Sequence, residues 1–309
     1  MEQIDTRISQ PTDRRGLTTT LSDGRQLGYA EFGAPDGYPI FLFHGTPGSR
    51  LWFLEDDPIA DELGLRLIAT DRPGYGLSDP KPGRSILDYP LDIAELTDAL
   101  NIEHFSVIGA SGGSVYSSVC AYALPEQVNA AGLIAGVSEF TNGKPPKDMC
   151  RENRTAFFLA RHFPWLARFT LNIGRKMMHS NPQKYIKTVQ SQVSHLCPSD
   201  QEIMQREESG MHVLMHMKEA FLRNVNEGAT EPALISRPWG FDSSKIRVPV
   251  HIWHGTEDTL APIEPMKKLV SVIPDCEIHT VAHKGHFLDA EPEIWKEILL
   301  SVTPENHLS

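Results

Sequence analysis

Ser111 lies in the stretch Gly109-Ala110-Ser111-Gly112-Gly113, a G-x-S-x-G pattern that closes the apolar run FSVIGAS (Phe105–Ser111) and opens a helical pattern. A strand–turn–helix junction with this spacing holds a serine hydroxyl out of a turn too tight for larger neighbours, beside a helix N-terminus. A serine hydroxyl is a weak nucleophile at neutral pH and needs a base, which in turn needs an orienting acid. Asp258, in HGTEDTLAP, and His286, in HKGHF, follow in the order Ser, Asp, His, each just past an apolar run. Glu257 competes with Asp258, and His283 with His286. The spacing G-x-x-D-x-x-x-P favours Asp258, and the small Gly285 before and the aromatic after favour His286. Acyl transfer to serine also needs two N–H donors aimed at the developing oxyanion. The Gly112 N–H, next to the nucleophile, supplies one. The loop His44-Gly45-Thr46-Pro47-Gly48 supplies the other, expected from Thr46. His44 is expected to pack and hold that loop.

These residues need a scaffold that brings distant loops to one edge. LTTTLSDGRQLGYAEFG reads as a hairpin turning at Asp23-Gly24. The apolar runs PIFLFHG, RLIATD, FSVIGAS, AAGLIAGV, VPVHIWHG and CEIHTV suit strands buried on both faces. Helical patterns cover Ile86–Leu100, Gly112–Leu124, Pro262–Ile273 and Glu291–Val302. The alternation predicts an α/β fold, a doubly wound, mostly parallel sheet. It breaks between about Ser138 and Gly240, where helical patterns are interrupted at Pro164, Pro182 and Pro198. The expected division is a core domain of 17–137 and 241–303, a helical cap domain of 138–240 inserted after the sixth strand, and an N-terminal tail of 1–16. A cap leaving from a strand's carboxyl end would cover the crevice where open α/β sheets bind ligands.

Composition narrows the function class. The 309 residues are 40% hydrophobic and 22% charged, with a net charge of −11. That charge argues against nonspecific nucleic-acid binding, which needs surplus Lys and Arg. The four cysteines, Cys120, Cys150, Cys197 and Cys276, are scattered and read as free thiols of a reducing compartment. The polar start lacks an apolar signal region, and no run of about 18 apolar residues offers an integral membrane segment. The expectation is a cytoplasmic protein acting on a small-molecule substrate, with no metal-ligand spacing and no cofactor.

Five pieces together carry a resemblance: HGTPGSR (His44–Arg50), DRPGYGLSD (Asp71–Asp79), GASGG (Gly109–Gly113), HGTEDTLAP (His254–Pro262) and GHF (Gly285–Phe287). With them the chain resembles the α/β-hydrolase superfamily, in particular its capped, esterase-like members, from about residue 20 to 302 outside the cap. The resemblance implies that Asp71 and Arg72 belong to a structural loop. Relatives that open epoxides or remove halides use an aspartate where Ser111 stands, so an acyl-serine route to a carboxylic ester is favoured. Prolyl iminopeptidases carry HGGPG and a tryptophan near the nucleophile, which disfavours that activity here. Cofactor-free haloperoxidases share the three residues. Amide, peptide or C–C bond hydrolysis, perhydrolysis, and a slow-turnover small-molecule receptor are the alternatives on the same constellation.

Three further signals bear on function. The basic, aromatic stretch Arg151–Lys187 suits a cap helix with its apolar face on a pocket and its arginines in water; a membrane surface or an anionic substrate is the alternative. His212 and His216 have zinc-compatible i, i+4 spacing but lack the Glu of H-E-x-x-H, which points to packing. Met204, Met211, Met215 and Met217 suggest adaptable apolar filling that could line a pocket.

Overall fold

The computed structural model describes residues 14–140 and 143–307. Most of the expected tail, residues 1–13, lies outside the described residues; Arg14 donates to the Gly33 carbonyl at 2.6 Å. The hairpin forms from β1 (Leu17–Thr20) and β2 (Gln26–Gly33), with Gly24 at φ 86° in its turn. The apolar runs become β3 (Tyr38–Phe43), β4 (Leu65–Thr70), β5 (Phe105–Ala110), β6 (Val128–Ile134), β7 (Val250–Gly255) and β8 (Cys276–Val281). The apolar run AAGLIAGV extends to Val137, but β6 ends at Ile134 because Ala135 turns to φ 45°.

The eight strands form one sheet in the order β1-β2-β4-β3-β5-β6-β7-β8. The β1–β2 and β2–β4 pairs are antiparallel and the rest are parallel. From β3 the chain goes first to β4 on one side and then to β5 on the other. The strand order therefore reverses between β3 and β5, where open α/β sheets leave a ligand crevice at the strands' carboxyl ends. The loop His44–Gly48 and Ser111 leave from those two ends.

Alternate residues of the parallel strands feed two cores. Phe41, Phe43, Phe105 and Val107 pack with α2 (Tyr89–Leu100), α3 (Ser114–Ala123) and α10 (Glu264–Val270). Ile40, Leu42, Ile108 and Ile134 pack with α1 (Asp57–Glu62) and α11 (Pro292–Ser301). Each fully buried Phe, Leu or Ile contributes roughly 1.5–3 kcal/mol, so burial on both faces explains the near-continuous apolar runs.

Between β6 and β7 the chain is helical: α4 (Arg151–His162), α5 (Pro164–Ser180), α6 (Pro182–Ser191), α7 (Pro198–Gln205), α8 (Glu207–Ala220) and α9 (Asn226–Ile235). The three prolines that read as interruptions are helix starts. Pro164, Pro182 and Pro198 each occupy the first position of a helix, where a missing N–H costs nothing and the fixed φ suits the turn.

Candidate active site

The β5–α3 junction is sterically specified by its glycines. A Cβ on Gly109 would stand 2.2 Å from the Gly113 carbonyl oxygen, and one on Gly113 would stand 2.0 Å from that of Phe43. Between them Ser111 takes the left-handed φ of 53°, which a side chain adopts at a cost. Ser114 Oγ donates to the Ser111 carbonyl at 2.7 Å and accepts from the Val137 N–H at 3.1 Å, tying the turn to the end of β6. Ser111 is partly exposed, and its hydroxyl makes no hydrogen bond to a described residue.

Beyond β7 and β8 the competing acids and histidines pair off. Asp258 Oδ2 lies 2.7 Å from His286 Nδ1, and both residues are buried. Glu257 Oε1 lies 3.0 Å from His283 Nδ1 at the surface, where the His283 side chain is 90% exposed. The other Asp258 oxygen accepts from the Leu260 and Ala261 N–H groups, both at 2.8 Å. Burial opposes protonation of His286, but the adjacent Asp258 carboxylate outweighs it and raises the imidazole pKa above the ordinary 6.5. Trp52 lies between the Ser111 side and Asp289, which follows His286 by three residues. A Cβ on Gly45 would stand 3.0 Å from Trp52 and 3.5 Å from Ser111 Cβ, and Trp52 Nε1 donates to Asp289 Oδ2 at 2.6 Å.

Thr46 and Gly112 adjoin one another: a Cβ on Gly112 would meet Thr46 Oγ1 at 2.4 Å. The Thr46 side chain is held by a buried network that the sequence did not reveal. Glu231, on α9, accepts six hydrogen bonds. Its Oε1 takes Arg72 Nε (2.8 Å), Tyr116 OH (2.7 Å) and Arg84 Nη2 (3.1 Å). Its Oε2 takes Arg72 Nη2 (2.8 Å), Tyr75 OH (2.9 Å) and Thr46 Oγ1 (2.9 Å). Burial alone would protonate this carboxyl; the Arg72 charge outweighs it and holds the pKa well below the usual carboxylate range. Arg72 also donates to the carbonyls of His44 and Gly45, so the guanidinium clamps the loop after β3. His44 is fully buried with Nδ1 2.7 Å from the Gly45 carbonyl, and burial with the Arg72 charge keeps it neutral.

Asp200, on α7, is the second group that sequence reading missed. It is buried and accepts from the His286 N–H at 2.8 and 3.0 Å and from the Phe287 N–H at 3.3 Å. A Cβ on Gly285 would stand 2.1 Å from Asp200 Oδ2, so the glycine before His286 makes room for this carboxylate. No spacing rule links residues 200 and 231 to loops 86 and 185 positions away.

Ser111, Gly112, Thr46 and Pro47 form one wall of a cavity of about 320 Å³. Its other walls come from α4 (Phe157, Leu159, Ala160), α5 (Ala167, Thr170, Leu171), α9 (Gly228, Pro232, Ile235) and Leu260. None of Met204, Met211, Met215 and Met217 lines it. Met204 packs with Val193 and Leu196 instead, and Met211 and Met215 are exposed, which corrects the pocket role considered for them. His212 and His216 pack: His212 Nε2 lies 3.2 Å from the Leu51 carbonyl, and the His216 ring lies against Trp52. A larger open cleft of about 1280 Å³, between segments 138–158 and 239–272, contains none of the candidate residues. Among the described residues no helix is long and apolar enough to cross a membrane.

Comparison with known proteins agrees with this architecture. A family model described as the α/β hydrolase fold matches residues 38–178. A non-heme chloroperoxidase of Streptomyces lividans is 26% identical over 301 residues, covering 92% of this chain and 98% of that protein. A proline iminopeptidase of Neisseria gonorrhoeae is 24% identical over 293 residues, covering 86% and 88%. Among solved structures, an esterase from Exiguobacterium antarcticum superposes with a TM-score of 0.65 at 19% identity, covering 93% of this chain and 98% of that one, a likeness of fold. With the reversed strand order between β3 and β5, a strained serine between close-packed glycines and these matches, the chain has the α/β-hydrolase fold.

Proposed function

We propose that this chain is a serine hydrolase that cleaves a small or medium carboxylic ester through an acyl-serine intermediate. His286 takes the Ser111 proton as Oγ attacks the ester carbonyl. The Thr46 and Gly112 N–H groups hold the oxyanion, and Asp258 orients His286 and stabilises its imidazolium. His286 returns the proton to the leaving alcohol. It then takes a proton from water as the water oxygen attacks the acyl carbon, and returns that proton to Ser111 Oγ as the acyl carbon–Oγ bond breaks, which frees the acid and Ser111. The observation that carries this reading is the buried 2.7 Å Asp258–His286 bond, together with an elbow serine held at φ 53°. The missing Ser111–His286 hydrogen bond is compatible with it, because such contacts tighten when substrate binds.

Residues 138–240 are proposed to act as a cap domain over a core of 17–137 and 241–303, since α4, α5 and α9 wall the Ser111 cavity. A mainly apolar cavity of about 320 Å³ suits short to medium acyl groups. A panel of p-nitrophenyl esters against matched anilides and β-diketones tests the reaction class. Turnover of the short and medium esters, with little of the others, is the expected result; preferred cleavage of anilides or diketones would replace the ester reading. The likeness to a non-heme chloroperoxidase over 92% of the chain supports one second reading, in which hydrogen peroxide intercepts the acyl-serine and releases a peracid. Peroxide-dependent halogenation in acetate buffer measures it.

A further inference from the structure

On the sheet face that also carries α11, three side chains from β7 and β8 converge. His251 pairs with Glu277 across the two strands, and His279 follows Glu277 by two residues, so all three project to the same side. His251 Nδ1 lies 3.4 Å from His279 Nε2 and 3.8 Å from Glu277 Oε2, and His279 Nε2 lies 3.6 Å from the same carboxylate oxygen. We infer that His251, Glu277 and His279 form a binding site for a divalent transition-metal ion of the zinc class, separate from the Ser111 cavity. No spacing in the sequence announces it, because the ligands are split between two strands.

The geometry suits a metal better than a hydrogen-bonded pair. At 3.4 Å the imidazole contact is long for an N–H···N hydrogen bond, and both nitrogens also face a carboxylate oxygen. A point equidistant from the three atoms lies about 2.1 Å from each, within the range of zinc–nitrogen and zinc–oxygen bonds. A tetrahedral ion needs ligand separations of roughly 3.3–3.6 Å, so the triangle closes around one by moving a few tenths of an ångström. Two imidazoles and a carboxylate are a ligand set that zinc uses, with water at the open position. The His279 ring is already oriented, stacked on Trp253 with centroids 4.2 Å apart and planes 14° from parallel. The side chains are reachable from solvent, at 21%, 26% and 66% exposed for His251, His279 and Glu277. A bound ion would bridge β7 and β8, the strands that lead into the Asp258 and His286 loops.

Isothermal titration of the full chain with zinc, run beside thermal melts with zinc and with EDTA, tests this. One equivalent should bind and raise the melting temperature, and EDTA should reverse the rise. Removing an outer partner of a metal ligand costs roughly 10–100-fold in affinity, so losing a ligand itself should cost at least that. His279→Gln and Glu277→Gln should each weaken binding accordingly; Glu277 is exposed, so its variant leaves the fold intact. Copper(II) bound in place of zinc should show the paramagnetic-resonance signature of two imidazole nitrogens. Cys150, Glu152 and His195 form a second cluster of ligating groups. Binding that survives His279→Gln and Glu277→Gln but disappears with Cys150→Ser, or no binding at all, would overturn the assignment. Two equivalents, one of them lost with His279→Gln, would support it.

Discussion

The Asp200 carboxylate, on helix α7, accepts the backbone N–H of His286 at 2.8 Å. A buried acid from the helical segment between β6 and β7 thus holds the loop that carries the candidate base. Asp200→Ala leaves the N–H groups of His286 and Phe287 without their acceptor and frees the loop to shift. A misplacement of about 1 Å in a reacting group costs on the order of 10²-fold in rate. Steady-state kinetics on Asp200→Ala should show kcat reduced by roughly 10–100-fold with KM little changed, and Asp200→Asn should recover part of the loss. Unchanged kcat in a folded Asp200→Ala protein would contradict a positioning role.

The Asp258–His286 pair sets a pH dependence. A base must be neutral to accept the serine proton, and Asp258 raises the His286 pKa above 6.5. The acid limb of kcat/KM should therefore fall above pH 6.5. Asp258→Asn should move that limb down and reduce kcat by roughly 10⁴. The same shift has a stability sign. A histidine whose pKa is raised by folding stabilises the native state below its unfolded value of about 6.5, and this contribution fades as pH rises through the folded value. Chemical denaturation at several pH values, comparing native protein with His286→Ala, measures it.

Glu231 neutralises Arg72 and orders the Thr46 loop from within the core. Removing one partner of a buried charge network leaves the others uncompensated and typically costs about 3–5 kcal/mol. Glu231→Ala should destabilise the protein by about that much in urea unfolding, and more than Glu257→Ala, whose side chain is 40% exposed. Because folding lowers the Glu231 pKa, its contribution is present above about pH 4.5 and is lost as pH falls toward the folded value.

Gly112→Ala tests the proposed oxyanion site. The added methyl would meet Thr46 Oγ1 at 2.4 Å and Thr46 Cβ at 2.8 Å, so Thr46 must move. Loss of one oxyanion donor costs roughly 10²–10³ in kcat, the decrease expected here with KM nearly preserved. A folded Gly112→Ala enzyme of native kcat would move the oxyanion site elsewhere.

Much of this architecture is legible in the chain because the signals are local. Parallel strands buried on both faces write themselves as continuous apolar runs, and the elbow needs glycines at fixed offsets from Ser111. The helical segment is legible as a break in the strand–helix alternation, but Pro164, Pro182 and Pro198 read as interruptions when they are starts; a proline fits both descriptions until the preceding turn is known. Helix α1 went unread because six residues show too little periodicity. Asp200, Glu231 and the His251–Glu277–His279 triangle were invisible for a different reason. Their partners are brought near by tertiary packing and strand register, and a carboxylate looks the same in sequence whether it is solvated or buried among six donors.

The most direct test of the central claim, that Ser111 is a nucleophile activated by His286 and Asp258, is labelling with a fluorophosphonate probe followed by peptide mapping. Stoichiometric labelling of the native protein at Ser111 is expected, with none in Ser111→Ala and greatly slowed labelling in His286→Ala and Asp258→Asn. A folded native protein that does not label, or labelling that persists in Ser111→Ala, would contradict it.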